Sequence, residues 1–369
     1  MSSILLNKLM AVTEADIRNA LKAVQDPDLH RDIVSLGFVQ DVTIQGGHVS
    51  FKIELTTPAC PVRDQMREQA AQVVRQLPGV KDVDIQMTSQ VRKSLLQTDT
   101  LLTPTVKNIV AIASGKGGVG KSTVSANVAL ALAKTGARVG LLDADVYGPS
   151  IPTILGITGS AQISANQQII PIERHGLRVM SMGFFMKPDE AVVWRGPMLH
   201  KTVQQFLGGV QWGELDYLLC DLPPGTGDVQ LSLCQAIPLT GAVIVSTPQD
   251  VALNVAQKAI TMFKKLNAPI LGIVENMSAH VCPHCGTREE IFGSGGARTI
   301  AERLNLPFLG EIPLATPIRE TSDAGQPIVI SQPDSPSARA FTTVAEQLAA
   351  QISIRAMTGE LGTEIKVTF

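Results

Sequence analysis

The chain has 369 residues, 44% hydrophobic and 17% charged, with a net charge of −2, which is enough apolar material for two domains. That balance counts against a sequence-blind nucleic-acid binder, which needs a basic surface. No apolar run reaches the ~18 residues of a membrane span, the N-terminus lacks a signal-peptide pattern, and five cysteines with no export signal predict a reducing cytoplasm rather than a disulfide framework.

Residues 1–92 read as a small α+β domain. Residues 13–24 have helical periodicity, with Thr13 placed to cap the helix. Residues 38–55 are two alternating runs joined at Gly46-Gly47, a hairpin pattern. A second helix is expected over 61–77, opened by Pro61 and closed by Pro78-Gly79, and a third strand over 80–87. Residues 93–106 read as linker.

From 107 to 356 short β-branched runs alternate with helical stretches, the pattern of buried parallel strands joined by crossover helices. The fold class is α/β, a doubly wound and mainly parallel sheet that binds ligands at the carboxyl ends of its strands. The last helical run is amphipathic but carries little positive charge, unlike a membrane-surface helix. It reads as a covering helix followed by a polar tail, 357–369.

The run ASGKGGVGKST (113–123) follows a strand and opens a helix. It matches the P-loop pattern through Gly115, Gly120, Lys121 and Ser122. The glycines, Gly115, Gly117, Gly118 and Gly120, let the backbone N–H groups from Gly115 through Val119 to Thr123 close on phosphate oxygens. Lys121 is expected to reach the β- and γ-phosphates of ATP, and the Ser122 hydroxyl to ligate Mg²⁺. Lys116 is a second lysine that a simple phosphate cradle does not need.

With Lys116 the loop resembles the deviant Walker A motif of ParA/MinD-like ATPases. In that family the extra lysine reaches the nucleotide of the other subunit, so the resemblance implies an ATP-linked homodimer with Lys116, Lys121 and Asp145 as catalytic residues. LLDADVYGPS (141–150) then corresponds to switch I, with Asp145 positioning the attacking water and Asp143 supporting Mg²⁺. YLLCDLPPGTGD (217–228) ends its strand at Asp221, the Walker B position for Mg²⁺, and the following turn corresponds to switch II. Asn276, closing the strand PILGIVENM, is assigned by the resemblance to the adenine ring.

Cys282 and Cys285 form a CxxC directly after that strand. Two thiols so spaced make half of a zinc ribbon, one edge of an iron–sulfur cluster, or a thioredoxin-like dithiol, although the dithiol normally opens a helix. His280 and His284 are near but badly spaced for a tetrahedral set. Cys220 and Cys234 read as core thiols.

SGKGGVGKST, LLDADVYGPSIPT, VWRGPM, DLPPGTGDVQL, TPQDVAL, GIVENMS and CPHCG…IFGSGG together resemble the Mrp/ApbC branch of these ATPases, the iron–sulfur cluster carriers. Residues 1–90 resemble the iron–sulfur assembly domain that precedes many of them, with Cys60 in the place of that domain's cysteine. The resemblance implies a cytoplasmic homodimer that passes a cluster from upstream scaffold proteins to apo iron–sulfur targets, with neither nucleic acid nor membrane as partner. In a two-fold dimer, Cys282 and Cys285 of each subunit would together supply four thiolates, a set suited to a shared [4Fe–4S] cluster and acceptable to Zn²⁺. Competing expectations are a DNA- or membrane-bound positioning ATPase and a nitrogenase-reductase-type redox ATPase. The latter uses widely separated cysteines.

Overall fold

The structure is a computed structural model that describes residues 12–93, 103–185, 196–282 and 284–358. Most of the expected linker, the first three residues of VWRGPM and nearly all of the expected tail lie outside the described residues. The chain divides into two compact units, Met1–Val91 and Arg92–Phe369.

The first unit has helix α1 (Glu14–Leu21), strands β1 (Val39–Gln45) and β2 (His48–Leu55), helix α2 (Arg63–Arg75) and strand β3 (Asp82–Ser89). Thr13 caps α1 through a reciprocal box. Its hydroxyl accepts from the Asp16 N–H, and the Asp16 carboxylate accepts from the Thr13 N–H. Gly46 and Gly47 take φ of +59° and +92°, the left-handed pair that a two-residue hairpin turn requires, and β1 and β2 pair antiparallel around them. Helix α2 then crosses over, so β3 pairs parallel to β2. It begins at Arg63, two residues later than Pro61 suggests. Met66, Ala70 and Val74, at helical spacing on α2, are buried, as are alternate β2 residues Val49, Phe51, Ile53 and Leu55.

The second unit is built on eight strands. They are β4 (Ile109–Ser114), β5 (Val139–Asp143), β6 (Ile172–Arg174), β7 (Leu177–Ser181), β8 (Tyr217–Asp221), β9 (Gly241–Ser246), β10 (Ile270–Asn276) and, after a short hairpin of β11 (His280–Val281) and β12 (Arg288–Glu289), β13 (Phe308–Ile312). Their order across the sheet is β6-β7-β5-β8-β4-β9-β10-β13. All neighbours are parallel except the edge pair β6–β7. Every residue of β4, β5, β8, β9 and β10 is buried, as expected for strands covered on both faces.

Helices α3 (Lys121–Lys134), α4 (Gly196–Gly208), α5 (Asp228–Ala236), α6 (Asp250–Lys265), α7 (Gly296–Arg303), α8 (Thr316–Asp323) and α9 (Pro336–Thr358) complete the unit. The last covers the sheet as expected, burying Phe341, Val344, Leu348 and Ile352, and runs through Thr358, past the expected tail boundary. Among the described residues no helix is long and apolar enough to cross a membrane.

Strand β4 is central, and the chain leaves it in one direction to β5 and β8 and returns on its other side at β9. Its carboxyl end is therefore the topological switch point where a doubly wound sheet binds its ligand.

Candidate functional site

The loop from Gly115 to Gly120 joins β4 to α3 at that switch point. Gly120 adopts φ +78°, and a Cβ there would lie 2.3 Å from Asn276 Nδ2. Gly115 is pressed on α6, where a Cβ would lie 2.5 Å from the Val255 carbonyl carbon. The Ser114 hydroxyl donates to the Lys116 carbonyl at 3.0 Å, and the Gly225 N–H of the turn after β8 donates to the Ser114 carbonyl at 2.9 Å. The loop is thus held from inside and from the turn beside it.

Lys121, 6% exposed, places Nζ 2.8 Å from Asp221 Oδ2 and 3.8 Å from Asp145 Oδ2. Asp221 is fully buried. Its Oδ2 accepts from the Ser122 hydroxyl at 2.5 Å, and its Oδ1 from Ser125 at 2.6 Å. Asp143 stands beside Asp221, in register across β5 and β8. It accepts from the Asp145 and Ile151 N–H groups, each at 3.2 Å, and from the Ser181 hydroxyl at 3.0 Å.

One ammonium thus faces three buried carboxyls. Burial, then repulsion by Asp221, pushes Asp143 up to about 8. Burial also raises Asp145, with Lys121 opposing and Asp221 adding to the rise. The Asp145 Oδ1 atom is buried with no hydrogen-bond partner. This all-oxygen donor set, the Asp221 and Asp143 carboxyls and the Ser122 hydroxyl, fits a hard divalent cation such as Mg²⁺, whose charge would favour the ionised form of both carboxyls.

Asn276 donates from Nδ2 to the Val119 carbonyl at 2.8 Å, so its amide nitrogen is committed to the phosphate loop. Lys116 is half-buried, and among the described residues no carboxylate lies within ion-pair distance of it.

The cysteine pair sits on the β11–β12 hairpin. The Cys282 N–H donates to the Thr287 carbonyl at 3.0 Å and the Gly286 N–H to the Cys282 carbonyl at 2.9 Å, folding the CxxC into a tight knuckle. The exposed Cys285 thiol donates to the Thr287 hydroxyl at 3.1 Å. Once ionised, Cys285 accepts from the Thr287 hydroxyl, the Thr287 backbone N–H and the Cys282 thiol, and these bonds hold it below the usual thiol range. His280 Nδ1 lies 3.1 Å from the Leu314 carbonyl oxygen. Among the described residues no group of three or more His, Cys, Asp or Glu side chains is arranged to hold a metal. Val281, Ile291 and Phe292, close in sequence to the pair, are exposed.

Cys220 and Cys234 are core thiols as expected, raised by burial, Cys234 to about 12. Cys60 is half-buried in the turn before α2.

A family described as the NUBPL iron-transfer P-loop NTPase matches residues 105–349. The chain belongs to that family. A second family, described as iron–sulfur cluster assembly protein, matches residues 14–87. The chain is 49% identical over 353 residues to the iron–sulfur cluster carrier protein of Synechocystis sp., covering 94% of this chain and 100% of that one. It is 51% identical over 350 residues to the carrier protein of Deinococcus radiodurans, covering 94% and 98%. A solved nucleotide-binding protein of Archaeoglobus fulgidus in complex with ADP is 42% identical, with a TM-score of 0.56 over 64% of this chain and 92% of that one. Membership agrees with the resemblance drawn from the motifs, and with the P-loop fold.

Three further polar residues shape the site, and none of them is given a role by the motifs, although Glu275 lies within the run GIVENMS. Ser125 braces Asp221, Ser181 braces Asp143, and Glu275 anchors the far stem of the cysteine hairpin. Ser125 lies four residues after Lys121, one helical turn on. That is the only hint of it in the sequence, and Ser181 and Glu275 carry none.

Proposed function

We propose that the protein is an ATP-hydrolysing carrier of iron–sulfur clusters, acting as a cytoplasmic homodimer in which Cys282 and Cys285 of each subunit hold one [4Fe–4S] cluster. The observation that carries this reading is a pair of thiols, Cys285 exposed and Cys282 half-buried, with no third ligand grouped with them among the described residues, in a chain whose relatives are named cluster carriers. Four thiolates are reached when two such hairpins meet.

In the ATPase site, the 115–123 loop would wrap the phosphates of ATP with its N–H groups. Lys121 would turn from Asp221 to the β- and γ-phosphates, and Lys116 would reach the nucleotide of the partner subunit. Ser122, Asp221 and Asp143 would hold Mg²⁺. When bound, the ion neutralises charge that develops on the phosphate oxygens. Asp145, whose Oδ1 has no partner, would orient the attacking water. The water oxygen bonds to the γ-phosphorus, the bond to the β,γ-bridging oxygen breaks, and ADP and phosphate leave. Asn276 would meet adenine through its side-chain amide, whose carbonyl oxygen and second Nδ2 hydrogen are left over by the bond to Val119.

The cluster is cargo, received from a scaffold protein and passed to apo targets. Neither nucleic acid nor membrane enters this cycle. Cys60, in the turn before α2, would be an accessory thiol in cluster transfer.

The test is anaerobic reconstitution followed by incubation with an apo [4Fe–4S] enzyme such as apo-aconitase. Recovered target activity, with loss of the carrier's visible absorbance, is the expected outcome. Stoichiometric zinc without sulfide in the purified protein would rule the cluster out.

A further inference from the structure

The cysteine hairpin is an excursion from the end of β10: its near stem is bonded to the end of β13, the Ser278 N–H donating to the Ile312 carbonyl and the Leu314 N–H to the Ala279 carbonyl, and the helix that follows its far stem is held by Glu275. On the near side, Asn276 donates to the Val119 carbonyl of the phosphate loop. On the far side, Glu275 spends both carboxylate oxygens on the start of α7, accepting from the Gly295 N–H at 2.9 Å and the Ala297 N–H at 2.8 Å. Glu275 is fully buried, and these donors lie twenty or more residues along the chain. A carboxylate facing a helix N-terminus in a buried site is a stiff, charge-assisted clamp.

Between the clamp and the hairpin stands Met277, with φ +59°. Among the described residues seven non-glycines have φ in the left-handed region. The other six are Asn, Asp, His or Gln, and Met277 alone has an apolar side chain. Its backbone is therefore strained by about 1 kcal/mol. A Cβ on Gly120 would come 3.5 Å from Met277 Cε, so this strained residue lies against the phosphate loop. The first two turns of α6 are packed on both parts: Val255 on Gly115, and Leu253 against the α7 start, where a Cβ on Gly296 would meet Leu253 Cδ1.

We propose that Glu275 is a positioning residue that couples the state of the phosphate loop to the geometry of the Cys282–Cys285 hairpin. Movement of the loop reaches Asn276 and Met277 directly. With the far stem clamped by Glu275, that movement re-aims the hairpin instead of being absorbed at α7. The proposal rests on the ATP and cluster readings above.

The experiment uses the full chain, without cluster, and maps iodoacetamide alkylation of Cys282 and Cys285 by mass spectrometry, with and without a non-hydrolysable ATP analogue and Mg²⁺. In the wild type, the analogue should change the alkylation rate about fivefold or more, within the usual range of coupling between sites. Glu275→Gln keeps the shape but replaces one acceptor oxygen with a donor. It should bring that ratio to near one while affinity for the analogue changes less than about twofold. A purely structural role would shift both rates by a common factor and leave the ratio intact, and that result overturns the proposal. So does a wild-type ratio of one. If Glu275→Gln does not fold, Met277→Gly decides. It removes the strain and the thioether, and should at least halve the wild-type ratio, whereas an unchanged ratio overturns the proposal. A wild type that binds no analogue sinks the ATP reading and the proposal together. Coupling present in a chain that fails cluster reconstitution removes only the cluster reading.

Discussion

Lys121 and Asp221 are paired at 2.8 Å in the interior of the second unit, the lysine 6% exposed and the aspartate not at all. Among the described residues the ammonium is the one positive side chain set against Asp221, Asp145 and, more distantly, Asp143. Lys121→Ala should therefore act twice. ATP hydrolysis should fall at least about 100-fold, because the phosphates lose a charge-stabilising donor. The uncompensated carboxyls should also lower stability by about 3 kcal/mol. Hydrolysis assays and denaturant titration on the same preparation check both, and unchanged hydrolysis would discard the phosphate-loop reading.

Asp145→Asn should separate binding from turnover. The amide keeps the size of the side chain, and Oδ1 has no partner to lose. Nucleotide affinity should stay within a few-fold while single-turnover hydrolysis slows about 100-fold, the scale of a lost proton-handling group. Equal losses in both would mean that Asp145 only shapes switch I.

Cys282→Ala or Cys285→Ala should abolish cluster loading outright, since symmetry removes two of four ligands with each substitution. The wild type should take up about two irons and two sulfides per subunit, half of a [4Fe–4S] cluster, and elute as a dimer. ATP hydrolysis should persist in both variants. Four irons per subunit on a monomer would contradict the shared site.

Asp216 gives a pH-dependent prediction far from the chemistry. It joins the segments before β4 and β5, accepting from Lys107 Nζ at 2.8 Å and from the Arg138 backbone N–H at 2.9 Å. Partial burial pushes its carboxyl up, but the bonds from Arg138 and Lys107 outweigh that and hold it below its ordinary 3.8. A depressed folded pKa stabilises above the unfolded value and is lost as pH falls through the folded one. Asp216→Asn should thus lower the melting temperature at pH 7 and at pH 5 alike. The gap to wild type should close only below about pH 3.8. A gap that closes between pH 7 and pH 5 would mean that another group is responsible.

Local chemistry was legible wherever neighbouring residues act together. The Gly46-Gly47 hairpin, the Thr13 cap and the 115–123 loop each announce themselves within a dozen residues, because each is held by bonds between near neighbours. Strand-end aspartates could be read from a buried run followed by a turn. Ser181 and Glu275 could not, because their partners lie 38 and twenty or more residues away.

By itself the sequence determined the alternation of buried strands and helices, the phosphate-binding loop, and the two-residue spacing of a thiol pair that would fill only two places of a four-coordinate site. Those properties follow from periodicity, from glycine's freedom in φ and from the count of donors, and none depends on distant contacts. Only the tertiary structure decided which carboxylate Lys121 meets, that Asn276 serves the loop through Val119, and that Glu275 closes the cysteine hairpin onto the same strand end. The reason is strand order. Parallel strands look alike in sequence, and what stands beside β4 is set by how the crossovers pack. Placing β8 on one side of β4 and β9 on the other, with β10 beyond β9, brings Asp221 and Asn276 to the loop from opposite sides.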